Sequence, residues 1–197
     1  MPKLPIATAL LCAMIVQGCS SSAIVSTRNR AAIAIYSVYL GIFPNPVVFY
    51  KRGYAFSDLG GVSNRRRAIS DYDRALVLSP RYQAAYGARA ISRSLLGYHG
   101  LAIDDLSKCI SIDPKTFEAA SCYNSRAVTN ERMKRYATVF ADYNQAISID
   151  PQYVPAYKNR GISFDDAGDI ESACKDWRKA ASLGDVDSAD WVRKQCQ

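Results

Sequence analysis

The chain reads Ala-Tyr-Lys-Asn-Arg-Gly over residues 156–161 and Ala-Cys-Lys-Asp-Trp-Arg-Lys-Ala over residues 173–180, with Gly168 between the two stretches. In each stretch, apolar and small residues recur three or four positions apart, which is the spacing of one face of an α-helix. Gly168 lies where a tight turn needs a residue that tolerates unusual backbone angles. The sequence therefore predicts a hairpin of two short helices with one apolar face each.

The same hairpin pattern occurs four times along the chain. Pro80, Pro114 and Pro151 end three copies and Asp185 holds the equivalent place in the fourth, which gives intervals of 34, 37 and 34 residues. A period of this length is typical of helical arrays. The first helices share an aromatic residue followed by Arg and a small residue: Phe49, Arg52, Gly53; Tyr86, Arg89, Ala90; Tyr123, Arg126, Ala127; and Tyr157, Arg160, Gly161. The second helices share an aspartate in their core: Asp71, Asp105, Asp142 and Asp176.

Residues 46–187 resemble four tetratricopeptide repeats, with boundaries at 46–82, 83–116, 117–153 and 154–187. The resemblance implies an all-α fold, a right-handed solenoid of antiparallel helix pairs. A capping helix is expected over 188–197, where Trp191 would cover the apolar end of the last repeat. Copies depart from the pattern at Lys134, which replaces the turn glycine of the other three, and at two insertions, over residues 61–63 and around 115–122.

The first residues predict export. Residues 1–18 combine a weakly basic start, an uncharged apolar run from Ile6 to Val16 and a small residue before Cys19, which resembles a bacterial lipoprotein signal. Acylation of Cys19 with palmitate-type chains would anchor the mature protein, and Ser20 after it resembles the pattern of outer-membrane lipoproteins. The alternative is an ordinary signal peptide cut near Ala23, which would leave a soluble periplasmic protein.

Two segments connect this signal to the repeats. Residues 19–30 are polar and are expected to form a tether. Residues 31–45 begin with an apolar run that ends before Pro44, and are expected to form an N-terminal helix or a degenerate half-repeat. Ala32, Tyr36 and Pro44 have the same mutual spacing as Ala68, Tyr72 and Pro80, which favours the half-repeat. The alternative is a segment on the membrane surface.

Four cysteines follow Cys19, and an even number in an oxidising compartment is typical of disulfides. In the repeat alignment, Cys109 ends one helix and Cys122 begins the next, while Cys174 and Cys196 belong to the last second helix and to the cap that folds back on it. We expect the pairs Cys109–Cys122 and Cys174–Cys196, with free buried thiols as the alternative.

Composition and motifs point away from catalysis. The chain has 197 residues, 49% hydrophobic and 22% charged, with a net charge of +7, and its basic residues are mixed with carboxylates. Nucleic acid is therefore not expected as a partner. There is no phosphate-binding glycine loop or nucleophile elbow, and the single His99 has no ligand-spaced neighbour. No enzyme activity, cofactor or metal is expected.

The resemblance implies a function in protein–protein interaction, because the first helices of such arrays line a concave face that holds peptides or partner domains. We expect an exported, lipid-anchored adaptor in the cell envelope that binds an envelope protein or peptide. The alternative is a structural assembly factor, such as a pilotin-like or secretion-complex subunit. The expected concave-face residues are Tyr50, Tyr54, Asp58, Gly87, Ile91, Leu95, Asn124, Val128, Glu131, Arg132, Lys158, Ile162, Asp165 and Asp166.

Overall fold

Helices joined by short turns make up the structure. It is a computed structural model that describes residues 21–196, and ten α-helices and one 3₁₀ turn lie within that range. The prediction of an all-α solenoid of antiparallel helix pairs is confirmed. In chain order the elements are α1 (Ser21–Ile42), α2 (Pro46–Leu59), α3 (Val62–Leu78), α4 (Gln83–Leu95), α5 (His99–Ile112), α6 (Phe117–Arg132), the 3₁₀ turn Tyr136–Thr138, α7 (Val139–Ile149), α8 (Val154–Asp166), α9 (Ile170–Ser182) and α10 (Val186–Gln195).

The pairs α2–α3, α4–α5, α6–α7 and α8–α9 fall within the four repeat ranges. The two insertions lengthen helices rather than loops, since α3 has 17 residues and α6 has 16, against 14 in α5 and 13 in α4.

The turn inside each pair needs a residue in the left-handed region. Gly60, Gly97 and Gly168 have φ of 69°, 84° and 81°, and Lys134 adopts φ of 58° despite its side chain.

Small residues let the two helices of each pair approach closely. A Cβ atom on Gly53 would lie 2.8 Å from the Tyr72 ring, and one on Gly161 would lie 2.5 Å from Nε1 of Trp177. Where the large residue of the second helix is Leu106, the first helix carries Ala90 in the same core cluster. Tyr143 of the third pair has Ala127 in its core cluster, so a large ring does not by itself require glycine. Glycine is needed at positions 53 and 161, where the ring lies directly against the first helix.

An arginine of each first helix forms a two-pronged ion pair with the buried aspartate of its second helix. Arg126, for example, donates from Nε and Nη2 to the two carboxylate oxygens of Asp142 over 2.9 and 2.7 Å. Such forks fix the geometry of both side chains, and they use a carboxylate that is almost fully removed from water. The four pairs are Arg52–Asp71, Arg89–Asp105, Arg126–Asp142 and Arg160–Asp176.

The same arginines also join each repeat to the one before it. Nη1 of Arg89 binds Asp73 at 2.6 Å, and Nη1 of Arg126 binds Ser107 at 3.3 Å, in both cases two residues after the aspartate of the preceding second helix. Arg52 makes the equivalent bond to Ser37 of α1 at 3.1 Å. By this contact α1 packs on the first pair as a second helix packs on the next repeat.

Helix α1 is longer than the sequence predicts. Residues 19–30 were expected to form a tether, but from Ser21 onward they belong to α1, which runs without a break to Ile42. Asn29 explains part of this order, because it is buried and donates to Asp58 of α2 over 2.6 Å. Cys19 and the signal segment lie outside the described residues.

The last helix closes the array. It begins at Val186, two residues before the expected cap, and Asp185 caps it by accepting from the backbone N–H of Ser188 at 2.7 Å. Trp191 packs on Trp177 with ring centroids 5.2 Å apart, so the apolar end of the last repeat is covered.

Both expected cysteine pairs lie at bonding distance. The sulfur atoms of Cys109 and Cys122 are 2.03 Å apart, and those of Cys174 and Cys196 are 1.98 Å apart. The first pair links two successive repeats, and the second links α9 to the end of α10. Each loop that they close is short, 13 and 22 residues, which corresponds to about 3 kcal/mol in the chain-entropy model.

Of the helices in residues 21–196, none combines the length and the apolar character needed to cross a membrane.

Candidate functional site

A cleft opens on the face formed by the first helices. It has a volume of about 240 Å³ and lies between α4, α6 and α8. Ile91, Leu95 and Val128 supply most of its apolar wall, and the side chains of Ile91 and Leu95 are exposed. The full lining is Ile91, Ser94, Leu95, Leu106, Asn124, Ser125, Val128, Thr129, Arg132 and Asn159.

Short polar side chains link neighbouring first helices along this face. Ser94 and Thr129 have their hydroxyl oxygens 3.3 Å apart, and Asn159 donates to the side-chain oxygen of Asn124 over 3.0 Å. These bonds join residues about one repeat apart. They hold the spacing of α4, α6 and α8, so the cleft is formed before any ligand arrives.

Arg132 is the one charged residue among those that line the cleft. It is exposed, in the last turn of α6. Its charge and the apolar wall together suit a ligand that offers an apolar side chain and a nearby carboxylate.

Five of the expected concave-face residues come together in this cleft: Ile91, Leu95, Asn124, Val128 and Arg132. Tyr54, Ile162 and Asp166 are also exposed, on α2 and α8. Asp165 is half-buried beside Asp166.

Other expected residues have side chains that are already engaged within the protein. Lys158 binds Asp185 and Asp187 at the start of α10, and the hydrogen bond to Asp187 is the main reason why the pKa of Lys158 is raised. Asp58 accepts from Asn29 of α1. The structure thus reduces the set of polar groups that are free to meet a ligand.

Two further expected residues, Tyr50 and Gly87, are also engaged within the protein. Tyr50 packs between Tyr72 and Tyr82, with ring centroids 5.9 and 5.2 Å away. A Cβ atom on Gly87 would lie 3.0 Å from the sulfur of Cys122, so this glycine makes room for the disulfide. Both residues serve packing.

Glu131 is a half-buried carboxylate near the cleft. It accepts hydrogen bonds from Tyr143 at 3.0 Å and from Ser163. Burial raises the pKa of Glu131 above its ordinary value; the two hydrogen bonds oppose this rise, and Asp166 adds to it. The group connects α6, α7 and α8, and its polar atoms point into the protein's own hydrogen-bond network.

Sequence reasoning missed Ser94, Ser125, Thr129 and Asn159. All four lie on first helices, and each is the sequence neighbour of an expected residue. A signal was available for Thr129, because Ser92, Thr129 and Ser163 recur as small polar residues six positions after the aromatic residue of their first helices.

Among residues 21–196, no group of three or more His, Cys, Asp or Glu side chains is placed to hold a metal ion. What the site offers is shape, apolar surface and a few polar groups. This arrangement can bind a segment of another protein.

Comparison with known proteins agrees with this architecture. The sequence model of the tetratricopeptide repeat matches residues 84–116 and 120–153, which are the second and third helix pairs. No curated protein sequence matches the chain.

Solved structures share the fold. A tetratricopeptide-repeat protein from Thermus thermophilus, TTC0263, superimposes with a TM-score of 0.73 at 16% identity, over 86% of this chain and 91% of its own. A crystal structure of MamA gives 0.66 at 22% identity, over 84% and 95%. MamA from Desulfovibrio magneticus, from residue 41 to its end, gives 0.65 at 17% identity, over 82% and 92%. At these identities the likeness concerns the fold alone.

Proposed function

The chain carries tetratricopeptide repeats, and from that premise we propose that it is an exported, lipid-anchored adaptor that holds a segment of an envelope protein in its first-helix cleft. The observation that carries the proposal is the cleft between α4, α6 and α8, with exposed Ile91 and Leu95 on its wall and Arg132 beside them. Exposed apolar side chains on a preformed cleft are typical of interaction sites.

The proposed ligand is a short segment with one apolar side chain and an acidic group next to it. The apolar side chain would fill the space beside Leu95 and Val128, and the carboxylate would meet Arg132. Asn124 and Asn159 lie in the same lining, where their side chains bond to each other. An amide has further donor and acceptor capacity, which can meet the backbone of the segment.

Export and anchoring rest on the sequence. Residues 1–18 resemble a lipoprotein signal and Cys19 is the acylation candidate. Mass spectrometry of the mature N-terminus tests this part. An acylated Cys19, and release of a Cys19→Ser variant into the soluble fraction, are expected; an unmodified N-terminus at or after Ala23 would contradict it.

Photocrosslinking in cells tests the cleft. A crosslinking amino acid is placed at Leu95 or at Val128, with Gln145 on the exposed face of the second helix α7 as the matched control. We expect the same partner from both cleft positions and not from Gln145. Equal capture from all three positions would contradict the proposal, and stable homo-oligomers as the sole product would favour the assembly-factor alternative.

A further inference from the structure

Helix α1 has apolar side chains on two opposite faces. One face packs on the repeats, where Leu40 joins the core cluster of Phe49 and Ala75 and Asn29 bonds to Asp58. The opposite face carries Ile24, Ile35, Val38 and Ile42. The last three are three and four residues apart, and Ile24 lies eleven residues, about three helical turns, before Ile35, so the four form one stripe. A helix that is apolar on both faces is ordinarily covered on both.

This outer stripe remains exposed. Ile35, Val38 and Ile42 expose 58%, 70% and 64% of their surface, and Phe43 directly after the helix exposes 59%. Elsewhere in the array, second helices are covered by the first helix of their own pair. Helix α1 is the first element of the described residues 21–196, and within them no first helix precedes and covers it.

Charge distinguishes between the surfaces that could cover the stripe. Residues 21–42 contain two charged side chains, Arg28 and Arg30, and no acidic residue. Arg28 belongs to the stripe by its spacing and is largely exposed, with Asp58 3.9 Å away at its edge. Apolar residues with arginines beside them match a lipid surface that has anionic headgroups, because the long arginine side chains reach the headgroups while the apolar residues enter the acyl boundary.

The position of α1 in the chain points to the same surface. It begins two residues after Cys19, and the apolar run Ile6 to Val16 precedes that cysteine. Whatever holds residue 19 to a membrane therefore also holds the start of α1 there. At 1.5 Å per residue the helix is about 33 Å long, so it can lie along the surface over several turns.

We propose that the outer stripe of α1 lies on an anionic lipid surface and orients the array with its first repeat against the membrane. This proposal goes beyond a flexible anchor, and it rests on the proposed envelope location. The cleft between α4, α6 and α8 would then be held at a fixed height, since α1 is bonded to α2 through Ser37, Arg52, Asn29 and Asp58.

The test uses a chain that starts at Ser20 with an N-terminal histidine tag, bound to vesicles that contain nickel-chelating lipid, phosphatidylcholine and phosphatidylglycerol. The tag replaces Cys19, so failure of acylation would not affect the result. An environment-sensitive fluorophore is attached to Val38→Cys, and to Val186→Cys as control; Val186 exposes 78% of its surface at the opposite end of the array. Lipids brominated in their acyl chains serve as the quencher.

We expect quenching and a blue shift at position 38 and neither at position 186. The triple variant Ile35→Ser, Ile42→Ser, Ile24→Ser should abolish the signal at position 38 while its circular dichroism stays unchanged, because the three residues are exposed. Vesicles that keep the nickel-chelating lipid but have phosphatidylcholine in place of phosphatidylglycerol should quench less. A fluorophore at position 38 that stays in water would overturn the proposal. A blue shift that appears without vesicles and increases with protein concentration would also overturn it, since a second copy of the chain would then cover the stripe. Equal quenching on both vesicle types would overturn the claim that the lipid surface must carry anionic headgroups.

Discussion

Replacing Gly161 with alanine adds a methyl group where the structure has no room for one. The new Cβ atom would lie 2.5 Å from Nε1 and 2.6 Å from Cδ1 of Trp177, and 3.3 Å from the backbone oxygen of Ala173. Trp177 cannot yield easily, because its side chain is 1% exposed and packs on Trp191. Helix α8 and helix α9 would have to separate.

The expected cost follows from two opposing effects. Overpacking of a tight core costs about 1–3 kcal/mol, while Gly→Ala in a helix interior gains up to about 1 kcal/mol. The 2.5 Å contact places the overpacking cost in the upper part of its range, about 2–3 kcal/mol. The variant should therefore lose about 1–2 kcal/mol of unfolding free energy, or about 2–8 °C in Tm for a chain of this size. Thermal and urea unfolding, followed by circular dichroism, measures both.

Two comparisons make this prediction specific. Gly100→Ala is the matched control, since nothing lies within 4 Å of its added Cβ, and it should be neutral or stabilising. In a Trp177→Leu background, Gly161→Ala should no longer destabilise, because Ala90 and Leu106 already pack in this way. Equal losses from Gly161→Ala in both backgrounds, or none in either, would refute the packing argument.

Three further predictions concern single side chains. Arg126→Met leaves the buried Asp142 without its ion pair and should cost about 3 kcal/mol in urea unfolding, while the same change at the exposed Arg193 should cost less than about 0.5 kcal/mol; similar costs at both would contradict the role of the fork. Lys134→Gly relieves a left-handed residue and should raise the unfolding free energy by about 0.5–1 kcal/mol, and a decrease would show that its side chain makes a compensating contact. Glu131 has a raised pKa in the fold, so the folded state holds this proton more tightly than the unfolded state and stability from this group falls as pH rises above its ordinary value of 4.5. Glu131→Gln should remove that fall, and its unfolding free energy relative to the original protein should increase from about pH 4 to pH 7; a constant difference would contradict the raised pKa.

The architecture could be predicted because the repeats constrain it four times over. Each copy places Arg three residues after an aromatic residue and Asp in the second helix, so an error in one copy is corrected by the others. The Arg–Asp fork itself was not predicted, although both residues occur in every copy. Arg126 and Asp142 are 16 residues apart, and only the antiparallel packing of two helices brings them together.

Contacts between repeats account for most of what the sequence did not reveal. Residues 21–30 look like a tether because they are polar, but Asn29 bonds to Asp58, 29 residues away. Lys158 looks free on its helix, yet it pairs with Asp185 and Asp187 of the cap. The spacing of residue types within one repeat cannot reveal such bonds, since it contains no information on how the ends of the array are closed.

The central claim is that the cleft between α4, α6 and α8 binds a partner segment. Its most direct test is the affinity of the crosslinked partner segment, made as a peptide, for purified variants of the chain. Leu95→Asp places a charge in the apolar wall, and Gln145→Asp places the same charge on the exposed face of α7. We predict that Leu95→Asp raises Kd by about tenfold or more, equal to about 1.4 kcal/mol, and that Gln145→Asp leaves it unchanged. An unchanged Kd for Leu95→Asp would contradict binding in the cleft.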